Sequence, residues 1–162
     1  MSSQASLVNE KLYQARLLLQ LLDRRNDDSL SYAAELRAVE AAAVELLCVG
    51  LQLFIDEIAE SCQLKDRYYN VYQLQQALIE EERSHAVVET LVELADADNN
   101  WLPSLLAAHN RVFNGAAVNK TQKPTSAQAI QFQDVSAGLD VIASVNAFSD
   151  FVLQQRAFLG EW

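Results

Sequence analysis

The stretch EEERSHAVVE, residues 80–89, contains Glu82-Arg83-Ser84-His85, a carboxylate and an imidazole three residues apart. On a helix that spacing puts both side chains on one face, where they can share a metal ion. Carboxylate-bridged metal sites in helical bundles use two such Glu-x-x-His pairs and add inward glutamates from the other helices. This chain has two histidines in all, and the second, His109, has Leu106 at the ligand spacing, so a second pair cannot form. Glu40, Glu45 and Glu57 fall at or beyond the edge of the apolar stripe of their helix. Asp140 and Asp150 flank the seam of the last helix, and Glu10 sits opposite Leu7 and Leu18. Glu82 and His85 are therefore metal candidates without a ligand set, and no metal or other cofactor is expected. The plainer reading of the motif is a helix boundary. Glu80, Glu81 and Glu82 either stand near the positive end of a helix beginning around Ser84 or close the segment before it.

His109 is spaced with Leu102, Leu106 and Phe113 by four, three and four residues, which sets it on an apolar stripe. A buried neutral histidine bonded to a backbone carbonyl or hydroxyl is the expectation there. A pH-sensing or ligand-contacting role is the alternative, although no partner acid is identifiable from the spacing. Other chemistry lacks its residues. No glycine-rich phosphate loop, dinucleotide fingerprint, Cys-x-x-Cys pair or nucleophile elbow occurs. Neither Cys48 nor Cys62 has a histidine close in sequence to activate it. The expectation is a protein that is not an enzyme.

The elements that must position these residues are helical. The 162 residues include only 4 Gly and 2 Pro, so little breaks regular structure, and the abundant Ala, Leu, Gln and Glu favour helix. A first helix is expected over about Ser6 to Arg25, with Leu7, Leu12 or Tyr13, Leu18, Leu19 and Leu22 on its apolar side. Ser29 or Ser31 can cap a long second helix, about Tyr32 to Gln63. Its stripe is Leu36, Val39, Ala43, Leu46, Leu47, Gly50, Leu53, Phe54 and Ile58. Gly50 in its middle is expected to mark a close crossing by a neighbouring helix. Residues 71–79 and 84–97 form two short helices or one bent one. A further helix opens at Asn99 or Asn100 with Pro103 in its first turn and closes at Asn114-Gly115. The last helix, about Val135 to Leu159, carries Val141, Val145, Phe148, Val152, Gln155 and Leu159 on a bundle-type seam. Between the last two, residues 116–133 carry Lys120 and Lys123 and no acid, and are expected to form a flexible loop. The fold class expected is all-α: one domain over residues 1–162, a four-helix up-down bundle with one or two extra short helices.

Composition narrows the partners. The net charge of −10 repels phosphate backbones and anionic membrane surfaces. The acids lack the dense stripes of a nucleic-acid mimic. The most apolar run, VELLCVGLQLFIDEIA, is interrupted by charges well short of a membrane span. The amino-terminal MSSQASLVNEKLYQ lacks the pattern of a secretory signal. Cys48 and Cys62, about 21 Å apart on one helix, are too distant to bridge, which suits a reducing cytosol.

Four stretches carry a resemblance: NEKLYQARLLLQLL, FIDEIAE at the end of the second helix, NNWLPSLLAAH, and the closing RAFLGEW. Together they resemble a small family of uncharacterised bacterial all-helical proteins. Asn9, Leu12, Tyr13, Trp101, Leu102, Arg156 and Trp162 correspond to that family's recurring positions. The resemblance implies a cytoplasmic helical bundle and supplies no catalytic residues. The leading expectation is then a cytoplasmic, non-enzymatic bundle that homodimerises or docks on a protein partner, with Tyr68, Tyr69, Trp101, Arg156 and Trp162 as interface candidates. The alternative is a bundle that holds a small ligand or metal near Glu82, His85 and His109.

Overall fold

The computed structural model describes residues 3–23, 30–114 and 140–160. They form six helices: α1 (Ser3–Asp23), α2 (Leu30–Ser61), α3 (Val71–Glu80), α4 (Ala86–Asp96), α5 (Trp101–Asn114) and α6 (Val141–Gly160). No strand occurs among the described residues. The described residues form an all-helical structure, as the composition favours. Residues 116–133, expected to be a loop, and the expected start of the last helix at Val135 lie outside the described residues.

Local signals set the helix ends. Asn70 caps α3, its Oδ1 accepting from the Gln73 N–H at 2.9 Å. Asp140 does the same for α6, accepting from the Ala143 N–H at 2.9 Å. The Asn100 Oδ1 accepts from the Trp101 N–H at the start of α5. Two helices stop without glycine. At the end of α2 the Leu64 N–H donates to Ala59 O and the Gln63 N–H to Glu60 O. At the end of α3 the Arg83 N–H donates to Leu78 O and the Glu82 N–H to Ile79 O. Both patterns are Schellman motifs, which place the first residue past the cap in the left-handed region. Gln63 and Glu82 occupy it, at φ 59° and 56°.

Residues along α2 fix the directions of its neighbours. Its stripe is close to the expected one, with Ala43, Val44, Leu47, Leu51, Phe54, Ile55 and Ile58 buried. A Cβ added at Gly50 would stand 3.5 Å from both Lys11 Cβ and Phe148 Cε1, the close crossing expected there. Lys11 beside Gly50, and Ala5 with Asn9 near Glu57, make α1 antiparallel to α2. Arg16 beside Ser149 and Asn9 beside Arg156 make α1 antiparallel to α6 as well. On the other flank, His109 meets Glu45 while Leu102 shares a cavity with Ile55, so α5 also runs against α2. The short α3 and α4 pack on each other and reach α2 and α5 respectively.

Aromatic rings fill the centre. Phe54 meets Phe148 and Phe151 edge-on at 6.3 and 6.0 Å between centroids, and Trp101 stacks on Phe148 at 5.3 Å. Over Ser31–Ser61, α2 is the helix among the described residues that is long and apolar enough to cross a membrane. This corrects the expectation that its charges take it well short of a span. Here its apolar stripe faces α1, α5 and α6, and the central helix of a bundle meets the same criterion of length and composition.

The first helix departs from expectation. Its core side consists of Ala5, Val8, Leu12 and Ala15, with Leu19 packed against the core, while Leu7 points outward. Small alanines lie at the helix contact because the α1 and α2 backbones approach closely, and that displaces the leucines counted as core.

Candidate functional site

Glu82 and His85 fall on no common helix face. Glu82 lies in the connection between α3 and α4, exposed and left-handed, and His85 is the residue that precedes α4. The acidic triplet closes α3: Glu80 is its last residue and Glu81 its C-cap. Glu82 is thus exposed in a connection and does not share a helix face with His85, the geometry a Glu-x-x-His ligand pair would need. His85 is half-buried and its Nδ1 has no hydrogen-bond partner. Burial, then the Arg83 charge, lower its pKa, with Glu89 opposing. Among the described residues no three His, Cys, Asp or Glu side chains converge as a metal centre would need.

The interface candidates divide. Arg156 sits inside a three-helix clamp. Its Nε and Nη2 donate to the two Glu57 carboxylate oxygens at 3.0 and 2.7 Å, and its Nη1 donates to Asn9 Oδ1 at 2.7 Å. Nη2 also reaches the Ala5 carbonyl at 3.3 Å. The planar guanidinium is what allows one side chain to bind a carboxylate in bidentate fashion and still join a third helix. Trp101 is likewise held inside, stacked on Phe148. Both make their contacts within the fold and remain partly exposed. Tyr68 packs partly buried against the core, and its carbonyl accepts from Gln52 Nε2 at 2.6 Å. Tyr69 is 70% exposed, with the Arg67 guanidinium over its ring. Trp162 lies outside the described residues.

Two surfaces stand out once these are placed. One is a cavity of about 260 Å³ between α2, α5 and the α3–α4 pair. Leu51, Val71, Leu91 and Leu102 form its buried floor, and Tyr69, Tyr72 and Leu106 its exposed rim. Cys48 and His109 stand on its wall. The partner acid that spacing could not supply for His109 is Glu45, whose Oε2 is 3.0 Å from the imidazole Nε2. His109 is thus an edge residue, since the core positions of α5 are Leu102, Leu105 and Ala108. Although Cys48 and His109 share the wall, they are not a nucleophile and base. Burial, then the Glu45 charge, push the Cys48 thiol up to about 12, so no thiolate is present near neutral pH.

The other surface is the outside of α1 and α6. At 100° per residue, Leu7, Tyr13, Leu17 and Leu21 fall within about 120° of one another, directly opposite the core side of α1. All four are exposed, Tyr13 at 59% and Leu21 at 61%. Antiparallel α6 brings Ile142 and Leu153 alongside, also largely exposed. A groove of about 240 Å³ lined by Arg16, Leu19, Gln20, Ile142 and Asn146 joins the two helices. The sequence signal for this face was present in the excess of leucines on α1, more than one apolar side can hold.

No curated protein and no solved structure matches the chain. A family model matches residues 1–162, from one end of the chain to the other, and the chain belongs to that family, a family of unknown function (DUF6586).

Proposed function

We propose that the protein is a non-enzymatic interaction protein that pairs with a second copy of itself through the outer face of α1 and α6. Its scaffold is a four-helix up-down bundle of α1, α2, α5 and α6, with α3 and α4 as two extra short helices inserted between α2 and α5. The antiparallel contacts of α1 with α2 and α6, and of α2 with α5, support that arrangement. The observation that carries the reading is that α1 is apolar on two opposite sides. One side is in the core, and the other has no cover among the described residues. A helix apolar all round is ordinarily buried all round.

The exposed parts of these α1 and α6 side chains amount to on the order of 600 Å². That is at the upper end of the ~300–600 Å² of the largest patch on a typical monomer and approaches the ~800 Å² per partner of a standard interface. A second copy fits better than an unrelated partner for two reasons. Two molecules of net charge −10 repel each other, yet this face is nearly neutral. Glu10 lies within it, between Leu7 and Tyr13 rather than opposite Leu7 as expected. It is paired with Lys11 at 3.3 Å, while Asp150 is set against Arg16. Leu7 and Leu21 also lie seven residues either side of Gln14. A two-fold axis near Gln14 brings Leu7 of one copy onto Leu21 of the other, the self-complementarity an isologous dimer requires. The face carries no basic cluster for nucleic acid, and the free thiols of Cys48 and Cys62 suit the cytosol.

Light scattering over a concentration series tests this directly. The expected mass is twice 18.1 kDa, falling to the single mass in the double variant Leu17→Lys, Leu21→Lys with helicity unchanged. A wild type that stays monomeric throughout, or a double variant that stays dimeric, would overturn it.

A further inference from the structure

We infer that the cavity between α2, α5 and the α3–α4 pair is a binding site for a small, uncharged, largely apolar molecule of about the size of a bicyclic aromatic ring. Its volume, about 260 Å³, exceeds the ~150 Å³ that suffices for benzene. Its construction is that of a pocket rather than a packing fault. The floor residues Leu51, Leu91 and Leu102 are buried, while Tyr69 and Tyr72 at the mouth are exposed. Small-molecule sites share this plan: an apolar lining with a few polar groups set into it.

The lining also specifies charge. No Lys, Arg, Asp or Glu lines the cavity, and its polar groups are Cys48, Gln52, Tyr69, Asn70, Tyr72 and His109. Two of these are backed by carboxylates: Glu45 Oε2 is 3.0 Å from His109 Nε2, and Tyr72 donates to Asp96 Oδ1 at 2.6 Å. An anionic ligand would enter without a counter-ion and face two acids behind the wall, at the cost of its own desolvation. A neutral molecule with one hydrogen-bonding group meets no such penalty. The Cys48 thiol, kept protonated by burial, adds a weak donor and no charge.

Indole and indole-3-acetate share a ring system and differ in charge, so the pair tests size and charge together. Methyl NMR of the full chain is the readout, with the Ile55 and Leu102 methyls reporting the cavity and Val145 the far side of the core. The expected result is saturable shifts at Ile55 and Leu102 with indole. Binding of indole-3-acetate should be weaker by about ten-fold or more. Filling the mouth with Leu106→Trp should weaken indole by a similar factor, and Ala95→Phe, which fills the inner wall, is the second variant if that one fails to fold. Absence of saturable indole shifts at these methyls, equal affinity for the anion, or undiminished binding in a folded filled variant would each overturn the inference. Because the cavity is remote from the α1–α6 face, its failure leaves the dimer reading untouched, and the reverse also holds.

Discussion

Glu82 shows how a residue that could do chemistry is used for geometry instead. A Schellman motif needs one residue with positive φ, and in this position a side chain other than glycine's crowds its own backbone. Glu82→Gly should therefore stabilise the fold by about 0.5–1 kcal/mol, read as an upward shift in a urea midpoint. A destabilised variant would mean that the carboxylate has a partner outside this turn. Its neighbour His85 makes a pH prediction. Burial lowers its pKa below the ordinary 6.5, so the fold binds its proton less well than the unfolded chain does. The contribution is intact above the unfolded value and is lost as pH falls through the lower folded one. Stability should thus decline below about pH 6.5, more steeply in wild type than in His85→Gln. Equal slopes in paired denaturation series would refute it. Arg156 is the opposite case, a charge committed to the fold. Arg156→Lys keeps the charge but loses the two-pronged contact with Glu57, and Arg156→Ala leaves that carboxylate half-buried and unpaired. A loss of about 2 kcal/mol is expected for alanine, with lysine recovering only part, measurable by chemical denaturation.

At the scale of elements, the crossing of α1, α2 and α6 turns on Gly50. Its position in mid-helix costs about 1 kcal/mol relative to alanine, and the crossing leaves ordinary contact distance for one methyl group. Gly50→Ala should therefore be neutral or stabilising by up to about 1 kcal/mol. Gly50→Leu must push Lys11 and Phe148 aside and should cost about 1–3 kcal/mol. Thermal melts of the two variants decide this, and a destabilised alanine would show that the crossing is tighter than the static distances. The same close approach explains why α1 presents Ala5, Val8 and Ala15 to α2 and turns larger leucines outward. Packing distance between backbones selects small residues at the contact, whatever the leucine count of the helix.

At the scale of the molecule, two features face in opposite directions. The outer face of α1 and α6 is broad, apolar and nearly neutral, as suits a second large surface. The cavity beyond α2 is narrow and uncharged, and fits a small molecule. Both lie away from Glu82. The Asn9–Arg156–Glu57 clamp and the Trp101–Phe148 stack tie α1, α2, α5 and α6 to one another.

The sequence by itself determined the helical class, nearly every helix, a cap at Asn99 or Asn100 and the crossing at Gly50, because these depend on propensity, periodicity and residue size within a few turns. It also determined the core seam of α6, where Val141, Val145, Phe148 and Val152 repeat without interruption. Only the tertiary structure decided which side of α1 faces inward, since both sides are apolar and the choice depends on a neighbour's distance. Only it could join Glu45 to His109, or Glu57 to Arg156, residues 64 and 99 apart in the chain. Such pairs leave no trace in local spacing, because each partner lies at the edge of its own helix and acquires its role when another helix is laid beside it.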